Sequence, residues 1–253
     1  MTTSKVPTDM RIDILPNGPY KVSGGVPLLI MSIVRNEQQE AIGWKQMDVL
    51  PQKDTYMLCR CGASKTKPYC DGAHVATHFD GTEVASKEAH EQAAERIQGE
   101  DITLHDQTNL CIGAEFCDRF GGIWSLTQLT AENSGLDDPE QAKEIAQKGR
   151  EAAIEEAKLC PSGRLVMYAL SEDGQNKALE AEFDQPSIAL IEDPLFQTSA
   201  ALWVRGGILV YGADGEPYEV RNRVTLCRCG ASLNKPFCDG QHYKVNFDDE
   251  LMA

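Results

Sequence analysis

Residues 59–74 read CRCGASKTKPYCDGAH and residues 227–242 read CRCGASLNKPFCDGQH, so Cys-x-Cys-x8-Cys-x3-His occurs twice in one chain. Twelve of the sixteen positions are identical. Cys59 and Cys61 stand two apart on a loop or extended segment, while Cys70 and His74 stand four apart, where one helical turn brings them to one face. Four soft or borderline metal ligands thus fall within sixteen residues, and the same set recurs as Cys227, Cys229, Cys238 and His242. The repeat also chooses between two nearby histidines: His74 is matched by His242, whereas His78 is matched by Asn246. Asp71-Gly72 and Asp239-Gly240 follow the third cysteine, where an aspartate can cap the turn and backbone N–H groups can point at sulphur. Cys3His is a legitimate structural zinc set, although zinc usually takes Cys-x2–4-Cys knuckles. Spacing alone leaves zinc and iron–sulphur chemistry both open.

The chain has nine cysteines, and the remaining three are Cys111, Cys117 and Cys160. The N-terminus lacks the apolar stretch of a signal peptide, so the expected compartment is the reducing cytoplasm, where cysteines bind metal or do redox chemistry rather than form disulphides.

With Ser64, Pro68, Cys70, Asp71, Gly72, Ala73 and His74 in place, the first segment resembles the CDGSH iron–sulphur domain of the mitoNEET type throughout; the second departs only at Gln241, where a small residue is usual. The resemblance implies one [2Fe–2S] cluster per motif, held by Cys59, Cys61, Cys70 and His74 and by Cys227, Cys229, Cys238 and His242. Members of the family form strand-exchanged dimers, so two motifs in one chain imply a monomer with an internal pseudo-dimer. Pro19–Val26 is also similar to Ala201–Ile208, apolar and β-prone around a Gly-Gly turn. Histidine in place of a thiolate makes such a cluster less negative and raises its reduction potential. An exposed outer nitrogen adds pH sensitivity and lability. Residues 111–117 read CIGAEFC, which resembles the bacterial ferredoxin run with its middle cysteine replaced by Ala114, and Cys160-Pro161 supplies the remote ligand. This segment is similar to single-cluster ferredoxins, including a divergent form found beside CDGSH motifs, which often carries a histidine where Gly113 stands. Three cysteines imply a [3Fe–4S] cluster with its empty corner facing Ala114, or a labile [4Fe–4S] with water or Asp118 at the fourth iron.

Placing these residues needs a few strands before each cysteine loop and a helical turn at each Cys-Asp-Gly. Between the repeats, Lys87 to Gln98 reads as an amphipathic helix closed by Gly99. Ile102–Leu104 and Arg164–Leu170 read as strands, and Asp138-Pro139 opens a long helix to about Leu159. Residues 172–185 read as a polar linker. The expected fold class is α+β: two small β-rich units, at 1–86 and 186–253, forming an intrachain pseudo-dimer, with a ferredoxin-like αβ domain inserted at 87–172. Trp44, Trp124 and Trp203 read as core or interface residues, His90 and His105 as solvent-facing, and Arg60 and Arg228 as screens for cluster charge or as surface ion-pair partners. The net charge of −15 disfavours nucleic acid and anionic membranes, and no apolar run is long enough to span a bilayer. No catalytic set can be argued from spacing, so the chain reads as a non-enzymatic electron carrier with redox protein partners. The alternatives are a cluster donor or store for apo iron–sulphur acceptors, a redox and pH sensor, or a zinc-stabilised module.

Overall fold

The computed structural model describes residues 9–171 and 176–251. The first segment contributes β1 (Arg11–Ile14), β2 (Tyr20–Ser23), β3 (Leu28–Arg35), β4 (Ala41–Leu50) and β5 (Thr55–Leu58), then the single turn α1 (Ala73–Ala76). The middle of the chain forms α2 (His90–Ala93), β6 (Glu95–Gln98), β7 (Ile102–Asp106), α3 (Ile123–Gln128), α4 (Pro139–Leu159), β8 (Leu165–Ala169) and β9 (Lys177–Ala178). The last segment adds β10 (Ser187–Asp193), β11 (Thr198–Arg205), β12 (Leu209–Tyr211), β13 (Arg223–Leu226) and the turn α5 (Gln241–Lys244).

Three sheets result, ordered β12-β1-β2-β5, β13-β11-β10-β3-β4 and β6-β7-β8-β9. The two repeats use the same register. Tyr20 faces Leu58 and Val22 faces Tyr56, as Leu202 faces Leu226 and Val204 faces Val224. Each sheet then takes one parallel strand from the other repeat: β12 lies on β1 with Val210 opposite Ile12, and β3 lies on β10 with Leu28 opposite Ile188. Burial follows this arrangement. β1, β2 and β5 alternate buried and more exposed positions, whereas β10 and nearly all of β11 are buried on both faces. One core joins the two repeats: Ile12, Tyr20, Val22, Leu28, Ile30 and Leu58 pack with Ile188, Leu190, Leu202, Val204 and Leu226. The opposite face of the second sheet, through Leu29, Met31, Ala189 and Trp203, packs on Ile112, Ala114 and Phe116.

The middle unit departs from expectation at its start. Only four residues of the 87–98 segment are helical, and Glu95–Gln98 is instead an edge strand paired to β7. Gly99 N–H closes the hairpin on the Ile102 carbonyl rather than capping a helix (2.9 Å). Cross-strand pairing outweighs the local helical pattern there. The strands at 102 and 164 and the long helix form as expected, with the Asp138 carboxylate accepting from Glu140 and Gln141 N–H at the helix start. The linker holds β9, which extends the third sheet at residues 177–178; positions 172–175 lie outside the described residues, as does the N-terminal stretch 1–8. No described helix is long and apolar enough to cross a membrane.

Candidate metal centres

Each outer cysteine loop begins where a strand ends. Cys59 follows β5 and gives its N–H to Pro68 O (2.8 Å), and Cys227 follows β13 and gives its N–H to Pro236 O (2.8 Å). The Ser64 hydroxyl donates to Tyr69 O and Ser232 to Phe237 O, both at 2.7 Å. The Asp71 carboxylate accepts from Lys65 and Ala73 N–H, and Asp239 accepts from Leu233 and Gln241 N–H, so the aspartate braces the loop as well as the turn. Repeated sequence is thus repeated hydrogen bonding.

The side chains meet in pairs. Cys59 Sγ lies 3.7 Å from Cys61 Sγ, and Cys70 Sγ lies 3.5 Å from His74 Nδ1. The second motif gives 3.7 Å for Cys227 and Cys229 and 3.4 Å for Cys238 and His242 Nδ1. Two thiolates on one tetrahedral ion with bonds of about 2.3 Å stand about 3.7 Å apart, and a thiolate and an imidazole nitrogen about 3.5 Å. Each pair is therefore spaced for one metal ion. Among the described residues no three His, Cys, Asp or Glu side chains converge on a single ion. One structural zinc would need all four ligands at one point, whereas a two-iron cluster takes one pair at each iron. The donor set fits the two-iron group. His78 is exposed and stands outside these pairs.

The two sites differ in their surroundings. His74 is half-buried and Val75 beside it is 70% exposed, whereas His242 is 1% exposed with its Nε2 unpartnered. Burial pushes the His242 imidazole down to about 4, and so keeps it in the neutral, ligating form. The Cys227 thiol is pulled down by its neighbour Cys229 and by backbone N–H groups of Ser232 and Gly230. Arg60 and Arg228 are not surface residues. Arg60 is buried on the carbonyls of Gly18 and Gly81 (both 2.9 Å), and Arg228 on Ala200 O (2.7 Å), Glu192 and Asp249.

The second motif is covered by the middle unit. The Tyr243 hydroxyl donates to Gly113 O (3.2 Å), Asn234 Nδ2 donates to Asn109 O (3.0 Å), and Cys238 packs with Ile112, Ala114 and Phe116. Cys111, Cys117, Cys160 and Ala114 line one small cavity. Gly113 has φ +77°, and a Cβ there would stand 2.8 Å from the Tyr243 ring, so the histidine of the divergent form has no room. Asp118 Oδ1 is 3.7 Å from Cys117 Sγ. Trp44, Trp203 and Phe116 stack at 4.7 and 4.8 Å beneath the loop.

His90 and His105 are buried rather than solvent-facing, at 4% and 3% exposure. His90 Nε2 meets Arg164 O (3.0 Å), and the His105 ring lies 4.4 Å from that of Tyr168. His105 is a residue of β7 itself, and the partners of both histidines lie far along the chain, so no local pattern foretold their burial. Glu156, four residues before Cys160, is also enclosed, with neither carboxylate oxygen hydrogen-bonded and Arg119 Nε 3.7 Å away. Desolvation raises this carboxyl from 4.5 to about 7, against the lowering effect of Arg119. Between those values the folded chain holds a proton that the unfolded chain has released, so stability falls as pH rises through the window. Glu156→Gln is expected to remove that slope and to exceed the parent by about 2–3 kcal/mol above pH 8, with little difference below pH 4.5. Urea midpoints at several pH values check this, and an unchanged slope in Glu156→Gln would refute it.

Comparison with known families agrees with this geometry. Residues 17–75 and 200–243 match the family described as iron-binding zinc finger, CDGSH type, and residues 97–170 match the divergent 4Fe-4S mono-cluster family. No curated protein and no solved structure matches the chain. The chain is therefore an iron–sulphur protein of tandem build, in which two CDGSH iron-binding domains flank one divergent 4Fe-4S mono-cluster domain.

Proposed function

We propose that the chain is a non-enzymatic electron carrier holding three clusters. Two are [2Fe–2S], on Cys59, Cys61, Cys70 and His74 and on Cys227, Cys229, Cys238 and His242. The third, on Cys111, Cys117 and Cys160, is a [3Fe–4S], with a labile [4Fe–4S] as the alternative. Clusters of this kind supply one-electron redox chemistry at potentials set by ligand type, hydrogen bonding and exposure. The observation that carries the reading is contiguity of the sites. Cys61 and Cys229 pair as an antiparallel bridge, and Gly240 at the second motif lies against Cys111 and Ile112. The matched registers and the two exchanged parallel strands support an internal pseudo-dimer.

The residues have distinct tasks. The thiolate pairs bind, the imidazoles lower the negative charge at one end of each outer site, and buried Arg60 and Arg228 hold the loops. Half-buried His74 favours a second reading, in which the first motif releases its cluster to an apo acceptor in a pH-dependent way.

Iron, zinc and acid-labile sulphide analysis of anaerobically purified protein, read with the visible spectrum, tests the assignment. About seven irons and about eight sulphides per chain are expected, and about eight of each would make the central cluster [4Fe–4S]. About four of each would confine the clusters to the outer motifs, and zinc without sulphide or colour would overturn the redox reading. Reversible reduction without cluster loss supports the carrier, and pH-dependent transfer to an apo acceptor supports the donor.

A further inference from the structure

One buried and two part-buried arginines, Arg223, Arg164 and Arg221, stand near the central cysteines, in a chain whose net charge is −15. Arg164 forks onto Asp106 (2.6 and 2.8 Å) and lines the same small cavity as Cys111, Cys117 and Cys160, with its guanidinium 5.5 Å from the Trp124 ring centroid. Arg223, with a side chain 1% exposed, donates to Cys160 O (2.6 Å), Ala157 O (2.7 Å) and Leu165 O (3.1 Å), and also meets Glu180. Arg221 donates to Gly163 O, three residues beyond Cys160, and stands 3.9 Å from Glu219.

Two of these three come from outside the middle unit: Arg221 just precedes β13 and Arg223 is its first residue. The CDGSH repeat does not require them. In the matched register of the first repeat, Lys53 and Thr55 occupy the corresponding positions, and both are exposed. The arginines occur only in the copy that covers the central cysteines. A buried cation is costly without a facing anion. Arg164 has Asp106 as one facing anion, whereas Arg223 and Arg221 have only the partly solvated Glu180 and Glu219, at 28% and 36% side-chain exposure. Asp118, beside Cys117, adds negative charge on the far side.

We propose that Arg164, Arg221 and Arg223 form a cationic collar that balances an anionic cluster on Cys111, Cys117 and Cys160, so that the central site is completed by the second CDGSH segment. The proposal rests on the iron–sulphur reading of that site. These are positioning residues. Adding one electron adds one negative charge in a low-dielectric setting, and a guanidinium lining the site stabilises the reduced form. Removing it shifts the couple toward the oxidised form. Arg164→Lys keeps the charge and restores it.

The test is an EPR-monitored redox titration of the parent, Arg164→Gln, Arg164→Lys and Arg221→Gln, with dithionite as reductant. Arg164→Gln is expected to lower the reduction equilibrium constant of the central cluster at least tenfold, which is 59 mV for one electron. Arg164→Lys should return to within threefold of the parent, and Arg221→Gln should move in the same direction by less. The outer clusters act as an internal reference and should not move. A retained central cluster with an unshifted midpoint in Arg164→Gln overturns the collar while leaving the cluster assignment intact. If Arg164→Gln does not hold its cluster, Arg221→Gln decides by the sign of its shift. A parent protein with no central signal overturns the cluster assignment and the collar together.

Discussion

Gly230→Ala is expected to strip iron from both outer motifs, although it touches no ligand side chain. Gly230 has φ +81°, and a Cβ there would stand 2.6 Å from Cys61 O and 2.9 Å from Cys61 C. Gly62, its counterpart, has φ +76° and would meet Cys229 O at 2.5 Å. The left-handed backbone alone costs about 1–2 kcal/mol for alanine. The larger effect is steric, because the obstructing atoms are cysteine backbone and must move for the methyl group to fit. That movement breaks the Cys61–Cys229 bridge and opens both 3.7 Å sulphur pairs. Iron and sulphide counts should fall by about four each. Gly72→Ala is the control: φ is +89° there, but nothing lies within 4 Å of the added methyl, so only the backbone penalty applies and the iron stays. Full iron content in Gly230→Ala would show that the two motifs tolerate separation at the bridge.

Arg228→Met should destabilise the fold by about 3–5 kcal/mol, and Arg60→Met by about 1–3 kcal/mol, despite their matched positions. Arg228 donates to Glu192 Oε1 (2.8 Å) and to Asp249, and Ser199 Oγ lies between the same two carboxylates at 2.7 and 3.0 Å. Both acids are buried, at 4% and 6% exposure, so the methionine leaves two unpaired anions enclosed. Arg60 donates only to carbonyls, which stay neutral when it is gone. The two variants should also differ with pH. Burial already raises Glu192 above its usual value, against the pull of Arg228, and removing that cation raises it further. A carboxyl raised in the folded state favours folding as pH falls, so Arg228→Met should be weakest near pH 8 and recover toward pH 5. Arg60→Met should show no added slope. Urea midpoints at the two pH values decide, and parallel pH profiles for the two variants would sink the account.

Much of the chemistry is legible in the chain because it is local. Candidate ligands two and four residues apart, an aspartate and glycine after the third cysteine, and Asp138-Pro139 ahead of an apolar-periodic run all act within one turn or loop. Repetition then separates His74 from His78, since accident does not recur at the same offset. What tertiary structure alone decided involves partners far apart in sequence. Glu95–Gln98 is a strand because β7 is beside it, and His90 and His105 are buried against partners distant in sequence, the Arg164 carbonyl and the Tyr168 ring. Which repeat supplies the parallel strand to which sheet depends on pairings about 160–200 residues apart. Near-identical motifs also end in unequal settings: the middle unit rests on the second motif and brings Tyr243 over Gly113, leaving His74 half-exposed and His242 enclosed. Local covalent spacing selects the ligands, and long-range burial sets the dielectric, charge and access around each of them.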